Sequence, residues 1–179
     1  MRFVDTHTHT WGGDTAELPW SEPVLPPGWR GSYTADDLVA DMDAVGVDEA
    51  VAVTTPLYGR GPRANEYTMR SIEAYPDRLW GVGVMDFYGD PGEVRAALRR
   101  VVGHDRMLGV RMHACLEYEE HPTDLDRTAD WILDDELAPV WAEAAELETS
   151  VFVFPKAEQL PMVATLADRY PDVQFVVDH

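Results

Sequence analysis

The run Asp5-Thr6-His7-Thr8-His9 places two imidazoles and a carboxylate within five residues. Side chains two apart on a strand project to the same side. An extended backbone here therefore presents His7 and His9 together, with Asp5 behind them. Two convergent imidazoles are a natural pair of divalent-metal ligands, and a nearby carboxylate can fix their tautomers. A His-x-His pair also occurs in surface loops, so the weight rests on its place at the end of an apolar first strand. His179 is the second candidate, following Phe175-Val176-Val177-Asp178, which reads as a buried strand. Alone it reads as a solvated terminus sooner than as a ligand. With His7 and His9 it would complete a three-imidazole site with an open position for water. A metal held in this way lowers the pKa of bound water and polarises a carbonyl.

Arg111 and His113 share one face of a later strand. An arginine there suits a bidentate pair with a substrate carboxylate, or equally a structural ion pair with one of the chain's many acids. His113 reads as a further ligand, a proton shuttle or a satisfied pocket histidine. Asp86 also ends a strand, and with Arg111 and Trp11 it makes up the candidate substrate contacts, while His113 and His179 are the candidate catalytic groups. Trp11, Trp20 and Trp29 lie in a long first loop, as a lid or pocket wall or as residues packing that loop down. His104 and His121 occupy helix-end or loop positions and read as solvated. Lys156, the only lysine, follows the fifth strand.

Periodicity supplies the elements that must position these groups. Strands are expected at Arg2–His7, Glu49–Thr54, Leu79–Asp86, Met107–His113, Thr149–Phe154 and Val173–Asp178. Helices are expected from the Thr34 cap to Gly46, at Ala64–Tyr75, at Pro91–Val102, from about Thr128 to Glu148, and at Gln159–Tyr170. Thr8 to Tyr33 and Ala114 to Asp126 read as loops. The connections are too long for hairpins, so the strands should be parallel, with right-handed crossovers. An open doubly wound sheet and a (β/α)8 barrel both fit, although no glycine-rich phosphate loop follows the first strand. Parallel strands expose their ends on one face, and the polar residues collect there: His7, His9, Thr54, Asp86, Arg111, His113 and His179.

The chain has 179 residues, 33 acidic and 14 basic side chains, and a formal net charge of −19. The length suits one domain spanning 1–179, and the apolar share of 45% is that of a globular chain. A strongly negative field disfavours nucleic acid as a partner. No apolar run approaches a bilayer span, and the N-terminus lacks the pattern of a secretory signal. The single cysteine, Cys115, has no internal disulfide partner. These features suit a soluble cytoplasmic protein that binds a small molecule, acting alone or as a homo-oligomer. Abundant Asp and Glu with one lysine suit a high-salt cytosol, where screening removes self-repulsion; GC-rich coding, which exchanges Lys for Arg, is the other reading.

The run VDTHTHTWG resembles the first-strand motif of the amidohydrolase superfamily, in its amidohydrolase-related branch. LGVR at Leu108–Arg111 and the stretch FPKAEQLPMVATLADRYPDVQFVVDH are similar to the sugar-lactone and pyrone-dicarboxylate lactone hydrolases. The same branch includes aminocarboxymuconate-type decarboxylases. The resemblance covers essentially the whole chain and implies a distorted (β/α)8 TIM-type barrel. It implies His7 and His9 as first-strand metal ligands and His179 as the sixth-strand histidine. It implies a divalent metal, zinc or manganese, and water attack on a lactone or amide carbonyl of a small anionic substrate. Decarboxylation and a non-catalytic binding role are the alternatives. Many members carry a metal-binding histidine after the fifth strand, where this chain has Phe154-Pro155-Lys156; that pattern resembles the lactonase branch, where a metal-free mechanism is an alternative. The family's acid/base Asp follows the eighth strand. Six β/α units against a usual barrel of about 250 residues imply the N-terminal portion of a longer protein, with exposed edges on its first and last strands.

Overall fold

The computed structural model describes residues 1–21, 28, 30–114 and 129–179. Among these residues six strands alternate with five α-helices: β1 (Val4–Thr8), α1 (Ala35–Val45), β2 (Glu49–Val53), α2 (Glu66–Ala74), β3 (Leu79–Gly83), α3 (Pro91–Val102), β4 (Met107–Met112), α4 (Ala138–Glu146), β5 (Ser150–Val153), α5 (Leu160–Arg169) and β6 (Gln174–Val177). The strand order is β1-β2-β3-β4-β5-β6. The pairings β1/β2, β2/β3, β4/β5 and β5/β6 are parallel. The β1/β2 register shifts between Asp5 and Thr8, just where the histidines begin.

Local chemistry sets the helix ends. Thr34 and Asp37 form a reciprocal capping box: the Asp37 N–H donates to the Thr34 hydroxyl at 3.2 Å, and the Thr34 N–H donates to the Asp37 carboxylate at 2.8 Å. Gly46, at φ 80°, closes α1 in the left-handed region. Asp90 caps α3 by accepting from the N–H groups of Gly92 and Glu93, with Pro91 in the first turn.

The chain divides into two compact units. The first comprises Met1–Val84 and His104–Leu108. Its core includes Leu38, Met42, Val51, Ile72 and Leu79, all buried, and α2 packs on β3. The second comprises Met85–Gly103 and Gly109–His179. There α3 packs on α4 around Leu98, Val140 and Trp141, and the Trp141 indole meets the Phe175 ring at 5.5 Å between centroids.

Two expectations need correction. The pattern from Thr128 to Glu148 is not one helix: within the described residues it forms 3-10 turns at Ala129–Leu133 and Asp135–Leu137 before α4 begins. The Asp134 carboxylate accepts from the Glu136 N–H at 2.9 Å, which starts a new turn, and Pro139 stands in the first turn of α4. Secondly, β6 is not a buried strand. Gln174 and Val177 are exposed, and β6 pairs with β5 on one side only among the described residues. The expectation of exposed outer strands holds for β1 as well, whose Val4, Asp5 and Thr6 are exposed, whereas all of β2 is buried.

Candidate active site

In the first unit, β1 carries His7 and ends at Thr8, so His9 lies one residue beyond the strand. The two rings still converge, edge to face, with their Nε2 atoms 3.3 Å apart. His9 Nδ1 lies 2.7 Å from the Val53 carbonyl oxygen. A carbonyl only accepts, so Nδ1 bears the proton and Nε2 of His9 bears the lone pair. The expected helper, Asp5, is not on an imidazole: its carboxylate accepts the backbone N–H of His7 at 3.1 Å. The backbone of β2 thus does for His9 what the carboxylate was expected to do.

These residues fit a divalent ion. Metal–imidazole bonds of about 2.0–2.1 Å at a tetrahedral angle place two nitrogens about 3.3–3.4 Å apart. The His7–His9 separation matches, and the Val53 carbonyl selects the tautomer a ligand needs. No group of three or more His, Cys, Asp or Glu side chains set to hold a metal occurs among the described residues.

Trp11 is buried with Leu18, Leu57 and Tyr58, and Trp20, Tyr33 and Tyr67 pack around them. Its indole N–H donates to the Arg30 carbonyl at 3.0 Å. The Tyr58 hydroxyl accepts from the Gly12 N–H at 2.8 Å, and its ring stacks on Tyr67. Burial, the largest cause, raises the pKa of Tyr58 and pushes that of Tyr67 up to about 12, so both phenols stay neutral. The loop after β1 is therefore packed down around its described tryptophans; Trp29 lies outside the described residues, as do Cys115 and His121. Thr54 is turned to structure, its hydroxyl 2.6 Å from that of Thr68. His104 is not simply solvated: its Nε2 lies 3.3 Å from a Glu73 carboxylate oxygen.

In the second unit, Arg111 and His113 are 4% and 2% exposed. Arg111 Nε lies 2.6 Å from a carboxylate oxygen of Asp178, itself 6% exposed. The guanidinium sits over the Phe154 ring, 4.6 Å from its centroid. Arg111 NH1 is 3.3 Å from His113 Nε2. Arginine only donates, so Nε2 of His113 accepts and its proton is on Nδ1. The His179 ring meets Phe154 edge-on at 4.9 Å, and His113 meets it at 6.3 Å. Asp86 is exposed beyond β3. Lys156 is half-buried, its backbone N–H donating to Gln159 at 2.8 Å. Sequence reading passed over Asp178 and Phe154. A carboxylate closing an apolar stretch, directly before a candidate ligand, was the available signal.

Six strands alternating with helices, with polar side chains gathered at strand ends, define a barrel-type α/β fold. Residues 4–179 match the amidohydrolase family profile, and the chain belongs to that family. A probable 2-pyrone-4,6-dicarboxylic acid hydrolase from Acinetobacter baumannii, with citric acid bound, has a similar structure: TM-score 0.70, 19% identity, covering 100% of this chain and 58% of that one. An amidohydrolase from Burkholderia multivorans with bound zinc gives 0.68 and 21%, with coverage of 100% and 58%. A 5-carboxyvanillate decarboxylase from Sphingomonas paucimobilis gives 0.67 and 20%, covering 98% of this chain and 67% of that one. The fold is thus the (β/α)8 type, and the chain spans 58% of the first of these structures. No curated protein sequence matches it. Among the described residues no helix is long and apolar enough to cross a membrane.

Proposed function

We propose that the protein is a metal-dependent hydrolase that opens a lactone or amide carbonyl of a small anionic substrate. The observation that carries this reading is the convergence of His7 and His9 Nε2, with His9 oriented by Val53. His7 and His9 would hold a zinc or manganese ion, and His179, which follows β6, is the candidate catalytic imidazole. Bound there, the ion supplies Lewis-acid polarisation of the carbonyl and activation of water. In lactone opening, water adds to the carbonyl carbon, the ring C–O bond breaks, and the leaving oxygen takes a proton to give a hydroxy acid.

Decarboxylation is the second reading, favoured by the likeness to the carboxyvanillate enzyme. The experiment is metal analysis of the purified full-length protein, followed by assay with 2-pyrone-4,6-dicarboxylate, simple sugar lactones and 5-carboxyvanillate. Ring opening that depends on bound metal supports the proposal. Release of carbon dioxide without ring opening replaces it with the decarboxylase. Ring opening by protein that binds no divalent ion replaces it with a metal-free lactonase. Absence of both metal and turnover leaves a binding protein on the same fold.

A further inference from the structure

We infer that Arg111 is a positioning residue that sets the ring of His179 by holding Asp178, and not a receptor for the substrate's anionic group. The inference rests on the proposed role of His179.

Five contacts on the second unit carry it. Asp178 is held at both ends. Its backbone N–H donates to the Val153 carbonyl of β5 at 2.8 Å, and its carboxylate meets Arg111 from β4. Residue 178 is therefore fixed to two strands, and His179 follows it directly. The Phe154 ring lies under the Arg111 guanidinium and against the His179 ring, so one aromatic surface aligns both groups. Finally, His113 accepts from Arg111 NH1, which orients the guanidinium from a third direction. Arginine suits this place because its planar, rigid fork stacks on a ring while donating sideways at fixed angles; a lysine ammonium keeps the charge but loses the shape. Burial makes the arrangement exacting, since removing either charged partner leaves the other buried and uncompensated.

The test uses full-length protein labelled with nitrogen-15 histidine. The His179 ring signals are assigned by their loss in His179→Gln. In the wild type, these signals are expected to be displaced by the Phe154 ring current and to show cross-peaks to Phe154. Arg111→Met and the near-isosteric Asp178→Asn are each expected to return the signals toward those of free histidine. Arg111→Lys is expected to behave like Arg111→Met. Unchanged His179 signals in either folded variant overturn the inference, and restoration by Arg111→Lys overturns the role given to the guanidinium's shape. Should Arg111→Met fail to fold, Asp178→Asn carries the comparison, and missing wild-type cross-peaks overturn the inference without any variant. These readouts need neither metal nor substrate, so they stand even if the hydrolase proposal fails. Where 2-pyrone-4,6-dicarboxylate is opened, Arg111→Met is expected to lower kcat by about 100-fold with KM little changed. A raised KM with kcat retained would instead identify Arg111 as a substrate contact.

Discussion

The side-chain amide of Asn65 stands in for a strand neighbour at Val84, donating to its carbonyl at 2.8 Å and accepting from its N–H at 2.7 Å. Both backbone groups of the chain leaving β3 are thereby satisfied in a buried place, from the residue that precedes α2. Asn65→Ala removes both partners at once. It is expected to cost at least about 1–3 kcal/mol, the penalty of a single unsatisfied buried group. Asn65→Asp, which keeps the acceptor but turns a carboxylate toward a carbonyl, is expected to be no better. Urea denaturation midpoints check both, and wild-type midpoints would remove the clamp from the account.

Gly109 is expected to tolerate no side chain. A Cβ at this position in β4 would run into the Ser150 carbonyl of β5, which is backbone and cannot swing aside. Gly109→Ala should therefore lower stability by about 1–3 kcal/mol, the usual cost of overpacking. Thermal melting measures the loss. Gly13→Ala, where a Cβ meets nothing within 4 Å, is the matched control.

The capping box of α1 predicts an acid-sensitive contribution to stability. The Asp37 carboxyl is held below its ordinary range, first by the Thr34 backbone N–H and then by the Thr34 hydroxyl. A pKa depressed by folding stabilises the native state above the ordinary carboxylate range, and that contribution disappears as pH falls through the depressed value. Thr34→Ala removes the hydroxyl's share. The melting-temperature gap between wild type and Thr34→Ala should be widest near neutrality and narrow on acidification. A gap independent of pH would show that Asp37 takes no part.

Local signals explain why much of this was legible in the sequence. The Thr34 and Gly46 ends of α1 and the limits of α3 need no information from elsewhere in the chain. Residues 128–148 misled because an apolar period continues across the break at Asp134. The exposure of β6 depends on what stands beside it, which no residue in the strand encodes. The site divides in the same way. Spacing alone brought His7 and His9 together. The group that orients His9 is a backbone carbonyl, and Val53 would present it whatever its side chain. Arg111 was legible as either a substrate contact or an ion pair, but with 33 acids available only folding selects Asp178.

Metal affinity should respond to the histidine pair and to little else on the first unit. His7→Ala and His9→Ala are each expected to weaken zinc binding by at least about 100-fold, the upper range seen when only a supporting contact is lost. His104→Ala should leave affinity unchanged, because that ring is engaged by Glu73 and the Asp105 carbonyl. Zinc content after dialysis against defined free-metal buffers reads all three. Equal retention in all of them would place the metal elsewhere.

The charge balance predicts stability that rises with salt. Arginines are shared among acids: Arg70 meets Glu17 and Glu66, and Arg99 meets Glu143 and Glu146. Acids nonetheless outnumber basic groups 33 to 14, leaving a formal net charge of −19 and a self-repelling field. Exposed ion pairs contribute only about 0–1 kcal/mol each, and salt weakens them. Repulsion summed over the surface is also weakened by salt, as the screening length falls from about 10 Å at 0.1 M to about 3 Å at 1 M. With acids in such excess, relief of repulsion should prevail, and the melting temperature at pH 7 should climb between 0.1 M and 1 M potassium chloride. Sodium chloride at equal ionic strength should act alike, since screening depends on ionic strength and not on the identity of the cation. A melting temperature that stays flat or falls would instead leave the arginine-for-lysine bias as a matter of coding composition.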